Sequence, residues 1–180
     1  MRTKDLIAPV AALLAAAAVL FGVSSALGET ARAREEAART EIMAYMLPGR
    51  PADFTQEDYD GEDESIRRVF KADGGYVIEV ETAGYAGPMV LWVGVTNGGE
   101  VSGLTVRQHG ETFGLGRGAQ TDAPFLLQFL GTAGEAAVDE NIDALTGATV
   151  TSKAVTRAVN SAAAFVTGAD VSSGATEWEG

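Results

Sequence analysis

Thr149 closes the run Asp143-Ala144-Leu145-Thr146-Gly147-Ala148-Thr149, and Val150, Thr151 and Ser152 lead on into a segment with helical spacing. A hydroxyl at the mouth of a helix sits where unpaired backbone N–H groups and the positive end of the helix dipole collect. That setting suits a phosphate. Gly147 and Ala148 leave space for a bulky ligand or a modifying enzyme to come close. The Thr149 hydroxyl is a poor nucleophile with no base nearby in sequence, so a phosphoryl link there needs a separate transferase. Asp and Thr ahead of a helix also commonly just cap it, and the composition of the segment does not identify a cofactor.

Other chemistry is bounded by what the chain contains. Its 180 residues include no cysteine, which excludes thiolate-held clusters, thiol catalysis and disulfides. There is one histidine, His109, so a multi-His metal site is excluded and no metal ligands are assigned. His109 reads as a surface residue at a strand end. It opens a glycine-rich loop, His109-Gly110-Glu111-Thr112-Phe113-Gly114-Leu115-Gly116, in which Glu111 can serve as a hydrogen-bond acceptor. The net charge of −12 repels a phosphate backbone and argues against nucleic-acid partners. No ordinary side chain present is a reversible electron carrier, so redox chemistry requires a bound cofactor.

The tail repeats the first pattern as Asp170-Val171-Ser172-Ser173-Gly174-Ala175-Thr176. Glu177-Trp178-Glu179-Gly180 follows it, with no helical spacing. A carboxylate beside the hydroxyl repels a phosphate, so Thr149 is the favoured site and Thr176 is expected to stay unmodified.

The elements that must position these groups follow from periodicity. Residues 6–27 are uncharged and apolar, and as a helix rise roughly 33 Å, about the thickness of a bilayer core. Arg2 and Lys4 precede them, which predicts an anchor with a cytoplasmic N-terminus and the rest of the chain outside. A cleaved signal peptide ending near Ser24-Ser25-Ala26 is the rival reading. Residues 29–45, rich in Ala, Glu and Arg, predict a juxtamembrane helix ending near Leu47-Pro48-Gly49. Residues 51–65 are acidic and read as a solvated loop. Strands are predicted at 76–82, 89–96 and 101–108, with Asn97-Gly98-Gly99 as a hairpin turn. Asp122-Ala123-Pro124 starts a helix that Gly131 ends. Residues 150–166 form the last helix, with Val155, Val159, Ala162, Ala163 and Val166 inward and Lys153, Arg157 and Asn160 outward. Trp92 reads as core. The fold class is α+β: an N-terminal transmembrane helix, then a small antiparallel sheet packed with helices. The expected divisions are 1–28, 29–50, 51–168 and a flexible tail, 169–180.

The segment DALTGATVTS resembles the flavinylation motif of the FMN-binding domain family, D-x-x-[ST]-G-A-[ST]-x-[ST]. That domain occurs in the G subunit of the Rnf electron-transport complex and in the C subunit of the sodium-pumping NADH:quinone reductase. HGETFGLG is similar to the family's H-x-E-T-P-G-L-G loop, with Phe113 in place of Pro. Gly84-Tyr85-Ala86-Gly87-Pro88-Met89 resembles its entry to the core sheet. The blocks keep the family's order and spacing, and the short chain looks more like the Rnf protein. The resemblance implies FMN held covalently on Thr149 through a phosphoester, with Thr146, Gly147 and Ala148 around it. It further implies that Glu111, Thr112 and Leu115 contact the flavin. Attachment would be made by a flavin transferase that uses FAD as donor. The implied role is an electron relay among membrane subunits of an ion-translocating ferredoxin:NAD oxidoreductase. A quinone-reductase component, another extracytoplasmic flavoprotein and a non-redox anchored module are the alternatives.

Overall fold

A computed structural model of the chain describes residues 28–110, 116 and 118–169. The predicted anchor at 6–27 lies outside them, as do Glu111, Thr112, Leu115 and the tail copy ending at Thr176. Among the described residues no helix is long and apolar enough to cross a membrane. The chain divides into two units, residues 1–41 and 42–180. The described part of the first is helical from residue 28, rich in Ala, Glu and Arg and mostly exposed, with an Arg39–Glu36 ion pair at 2.9 Å. The helix, α1, runs through residue 46, as its helix-forming composition predicts.

The second unit is built on a five-stranded antiparallel meander in the order β1-β2-β3-β4-β5. The strands are β1 (Thr55–Glu57), β2 (Ile66–Ala72), β3 (Gly75–Ala83), β4 (Pro88–Thr96) and β5 (Val101–His109). Three were expected; β1 and β2 were not. In β2 the register shifts between Ile66 and Arg68, and Val69 and Phe70 are both buried, on opposite faces. A strand buried on both sides and broken by a bulge shows no clean alternation. The acidic segment 51–65 is correspondingly more than a solvated loop. It supplies the short polar edge strand β1, and its Tyr59 packs edge-on against Phe165 at 5.8 Å between ring centroids. A short charged edge limits pairing with other chains.

Each face of the sheet is covered by a different element. On one face lies α4 (Thr149–Thr167). Ile78, Val80, Leu91, Val93 and Val106 meet Val155, Val159 and Ala162 there. Alanines at 154, 158 and 162 let the helix approach the strands closely. Two further helices, α2 (Gly118–Thr121) and α3 (Ala123–Leu127), flank it. Asp122 caps α3 by accepting the Phe125 N–H at 2.9 Å, as expected, and Phe125 and Phe129 enter the core edge to face. On the other face Met43, Met46 and Leu47 cover Phe70, Val77 and Trp92. Trp92 is core, as expected. Its indole N–H donates to buried Glu79 at 2.8 Å, Arg68 donates to the same carboxylate at 2.9 Å, and Arg107 stacks on the ring at 4.4 Å. The buried carboxylate is thereby both paired and hydrogen-bonded.

Candidate functional site

One end of the sheet gathers the segments that the sequence singled out. β3 ends there, β4 begins there and β5 ends there, because Ala83 pairs with Pro88 and Met89 with His109. The 84–87 turn closes with the Gly84 N–H donating to the Gly87 carbonyl at 2.9 Å. Gly110 lies against this turn: a methyl group on it would stand 3.4 Å from the Ala86 carbonyl oxygen. At the other end of the glycine loop, a methyl on Gly118 would stand 3.7 Å from Leu145. The described ends of the loop therefore touch both other blocks. Residues 111–115, between them, lie outside the described residues.

Helix α4 reaches the same end of the sheet. Arg157 donates to the Ala83 carbonyl at 3.0 Å, while Phe165, two turns further on, meets Tyr76 edge to face at the start of β3. Thr149 is eight positions before Arg157, so it projects about 12 Å beyond it along the axis. Burial lowers the Arg157 pKa from the ordinary guanidinium value, yet a guanidinium keeps its charge in proteins. Thr149, exposed Lys153 and half-buried Arg157 are four residues apart and share one helix face.

The motif is a turn rather than a cap. Thr149 is the first helical residue, and the N-cap is Ala148, which has no side chain to offer the first turn. The capping that the sequence left open for Asp and Thr is thus not what these residues do at α4. Thr146, Gly147 and Thr149 are exposed and Ala148 is buried. Gly147 has φ 72°, a left-handed conformation that a side chain resists and glycine adopts freely. Ser152, fully buried, holds the turn from below. Its hydroxyl accepts the Leu145 N–H at 3.0 Å and donates to the Ala148 carbonyl at 3.0 Å. The result is a hydroxyl presented on an exposed helix end, beside two small residues. This donor set fits a phosphate ester: one acceptor hydroxyl, helix N–H groups without a capping side chain, and a cation one turn away.

Two holding residues were missed in the sequence. Asn160 was expected to face solvent but is buried. Its amide accepts the Ala136 N–H at 3.1 Å and donates to the Ala136 carbonyl at 2.8 Å, tying the segment before the motif to α4. Asn at a helix face carries no signal of this kind unless its neighbours are all inward, as Thr156 and Ala163 are here. Asn160→Ala is expected to cost about 2–4 kcal/mol, since it strands two buried backbone groups. Urea denaturation measures this, and an unchanged midpoint would contradict it. Gln128 on the C-cap of α3 pairs in the same reciprocal way with Asp143.

The chain matches the FMN-binding domain over residues 84–164, which includes all three blocks. It is 41% identical over 99 residues to the G subunit of the proton-translocating ferredoxin:NAD(+) oxidoreductase complex of Clostridium ljungdahlii, covering 51% of this chain and 53% of the relative. It is 34% identical over 97 residues to the Na(+)-translocating counterpart of Acetobacterium woodii, covering 48% and 46%. To the G subunit of the ion-translocating oxidoreductase complex of Methanosarcina acetivorans it is 31% identical over 140 residues, covering 70% and 73%. Against the first two, the match spans about half the length of the relative.

Proposed function

The chain belongs to the FMN-binding-domain family that includes the G subunits of ion-translocating oxidoreductase complexes, and from that membership we propose that it is an electron-relay flavoprotein carrying FMN on Thr149. The observation that carries the proposal is the exposed Thr149 hydroxyl at an uncapped helix start, within DALTGATVTS. FMN, when bound, accepts an electron pair and returns electrons singly, which links unlike carriers.

What the chain's own residues do follows from their places. The Thr149 oxygen forms the bond to the flavin-side phosphorus of FAD, the phosphoanhydride bond breaks, AMP leaves, and the hydroxyl proton is released. The partner enzyme, a flavin transferase, supplies the base that Thr149 lacks nearby. At the start of α4 the helix dipole and Lys153 would favour the remaining negative charge of a phosphodiester on Thr149. Gly147 and Ala148 leave the space beside the link. Thr146, Glu111, Thr112 and Leu115 are the proposed remaining contacts of the flavin.

In the same reading, residues 6–27 anchor the chain in the cell membrane as a single pass and the domain faces away from the cytoplasm. Its electron partners are the other membrane subunits of an Rnf-type complex, which moves electrons between ferredoxin and NAD and couples them to ion transport. The test is mass spectrometry of the intact chain and of its Thr149 peptide after coexpression with a flavin transferase. One added FMN, located on Thr149, is expected. Two added FMN units, or one located on Thr176, would contradict it.

A further inference from the structure

The segment from residue 132 to residue 148 contains neither helix nor strand, yet, besides bonds from its own Glu135 and Asn141, side chains of three residues in the flanking helices tie down its backbone. Asn160 holds Ala136, Gln128 holds Asp143, and Ser152 holds Leu145 and Ala148. Two of the three come from α4 itself. Gln128 comes from elsewhere, at the end of α3. The geometry points to Gln128 as a positioning residue for the modification of Thr149, an inference that rests on Thr149 being the acceptor.

The side-chain amide of Gln128 accepts the Asp143 N–H at 2.7 Å and donates to the Asp143 carbonyl at 3.3 Å. One side chain thus occupies both backbone groups of the first residue of the motif, as a neighbouring strand would. Its own base is rigid. Phe125 and Phe129, on either side of it, are buried, and Asp122 caps the helix. The turn from Asp143 to Ala148 is consequently fixed at one end by α3 and at the other by Ser152. Between these ends Thr146 and Gly147 are exposed, and Thr149 follows directly. Holding both ends limits the conformations that the turn offers to an enzyme that must reach Thr149. The tail copy has the same seven-residue pattern, but Glu179 stands where the first copy has Ser152.

The test is the steady-state rate of FMN incorporation into the full-length chain, with FAD and a flavin transferase, read on the Thr149 peptide. Gln128→Met keeps the size of the side chain and removes both bonds. It is expected to raise KM for the acceptor about five- to tenfold with kcat little changed, because a smaller fraction of the turn is competent. Gln128→Glu keeps the acceptor for the Asp143 N–H and is expected to fall between Gln128→Met and the unaltered chain. Amide exchange at Asp143 should quicken in Gln128→Met, a change that needs no flavin to be seen. Both bonds are exposed to solvent, so the melting temperature should move little. Equal KM in all three proteins would overturn the inference while leaving Thr149 as acceptor. Failure of the unaltered chain to load at Thr149 would overturn both. Should Gln128→Met unfold, an unaltered KM for Gln128→Glu would still sink the inference.

Discussion

Thr149→Ala is expected to abolish covalent flavin while the domain stays folded. The side chain is exposed and belongs to neither core cluster. At the first helical position alanine is at least as good a helix former as threonine. The stability change should therefore stay within about 0.5 kcal/mol, the usual range for an exposed site without special contacts. Loss of loading, by contrast, should be complete, because the phosphorus has no other oxygen in the same place. Thr146 is three residues upstream on an exposed turn and Thr151 is buried, so neither substitutes for it. Thr149→Ser retains the oxygen and should restore loading. The measurement is in-gel flavin fluorescence under denaturing conditions, alongside the melting temperature. Fluorescence retained by Thr149→Ala would refute the assignment, and a collapsed fold would show that Thr149 is structural instead.

How much of this was legible before the structure depends on which forces set each element. The helix over 150–166 and the strands at 89–96 and 101–108 were read from apolar periodicity, and they lie where expected within a residue or two. Their burial is one-sided or complete, and either pattern survives in the sequence. β2 was not legible, since its bulge and the two covered faces of the sheet place Val69 and Phe70 in different cores. At the site, Thr149 was identifiable through the motif and its helix. What holds it was not. Gln128 and Asp143 are fifteen positions apart, and an amide clamping a backbone leaves no mark in local sequence. Asn160 looked solvent-facing because polar residues usually are. Ser152 was visible in the motif, but its two hydrogen bonds are made to a turn in which Gly147 is left-handed, a conformation that residue spacing does not specify.

A loss of stability as large as that of Asn160→Ala is expected on the face of the sheet opposite α4. Gly94 and Gly103 pair across β4 and β5, and the backbone of Met46, at the end of α1, rests directly on them. A methyl group on Gly103 would lie 2.7 Å from the Met46 Cα and 2.8 Å from its Cβ. The Cα is main chain and the Cβ is fixed by its bond to it, so no rotamer relieves the contact. Met46 must lift, and Ser102, which donates to the Met46 carbonyl at 2.7 Å, must lose its bond or follow. Met43 and Leu47, 2% and 4% exposed, then part from Phe70 and Val77. Gly103→Ala is expected to cost about 2–4 kcal/mol, combining overpacking with a lost hydrogen bond. Gly94→Ala should act alike, since its methyl would come 2.9 Å from the Met46 Cβ. The two together should cost less than their sum, because both push the same residue. Gly98→Ala is the control: its methyl meets nothing nearer than Thr96 Oγ1 at 3.6 Å. Thermal unfolding followed by circular dichroism measures all of these, and a Gly103→Ala midpoint equal to that of Gly98→Ala would disprove the close seating of Met46 on the two glycines. Below the midpoint, loading at Thr149 should proceed unchanged in each variant, because the sheet separates Met46 from α4.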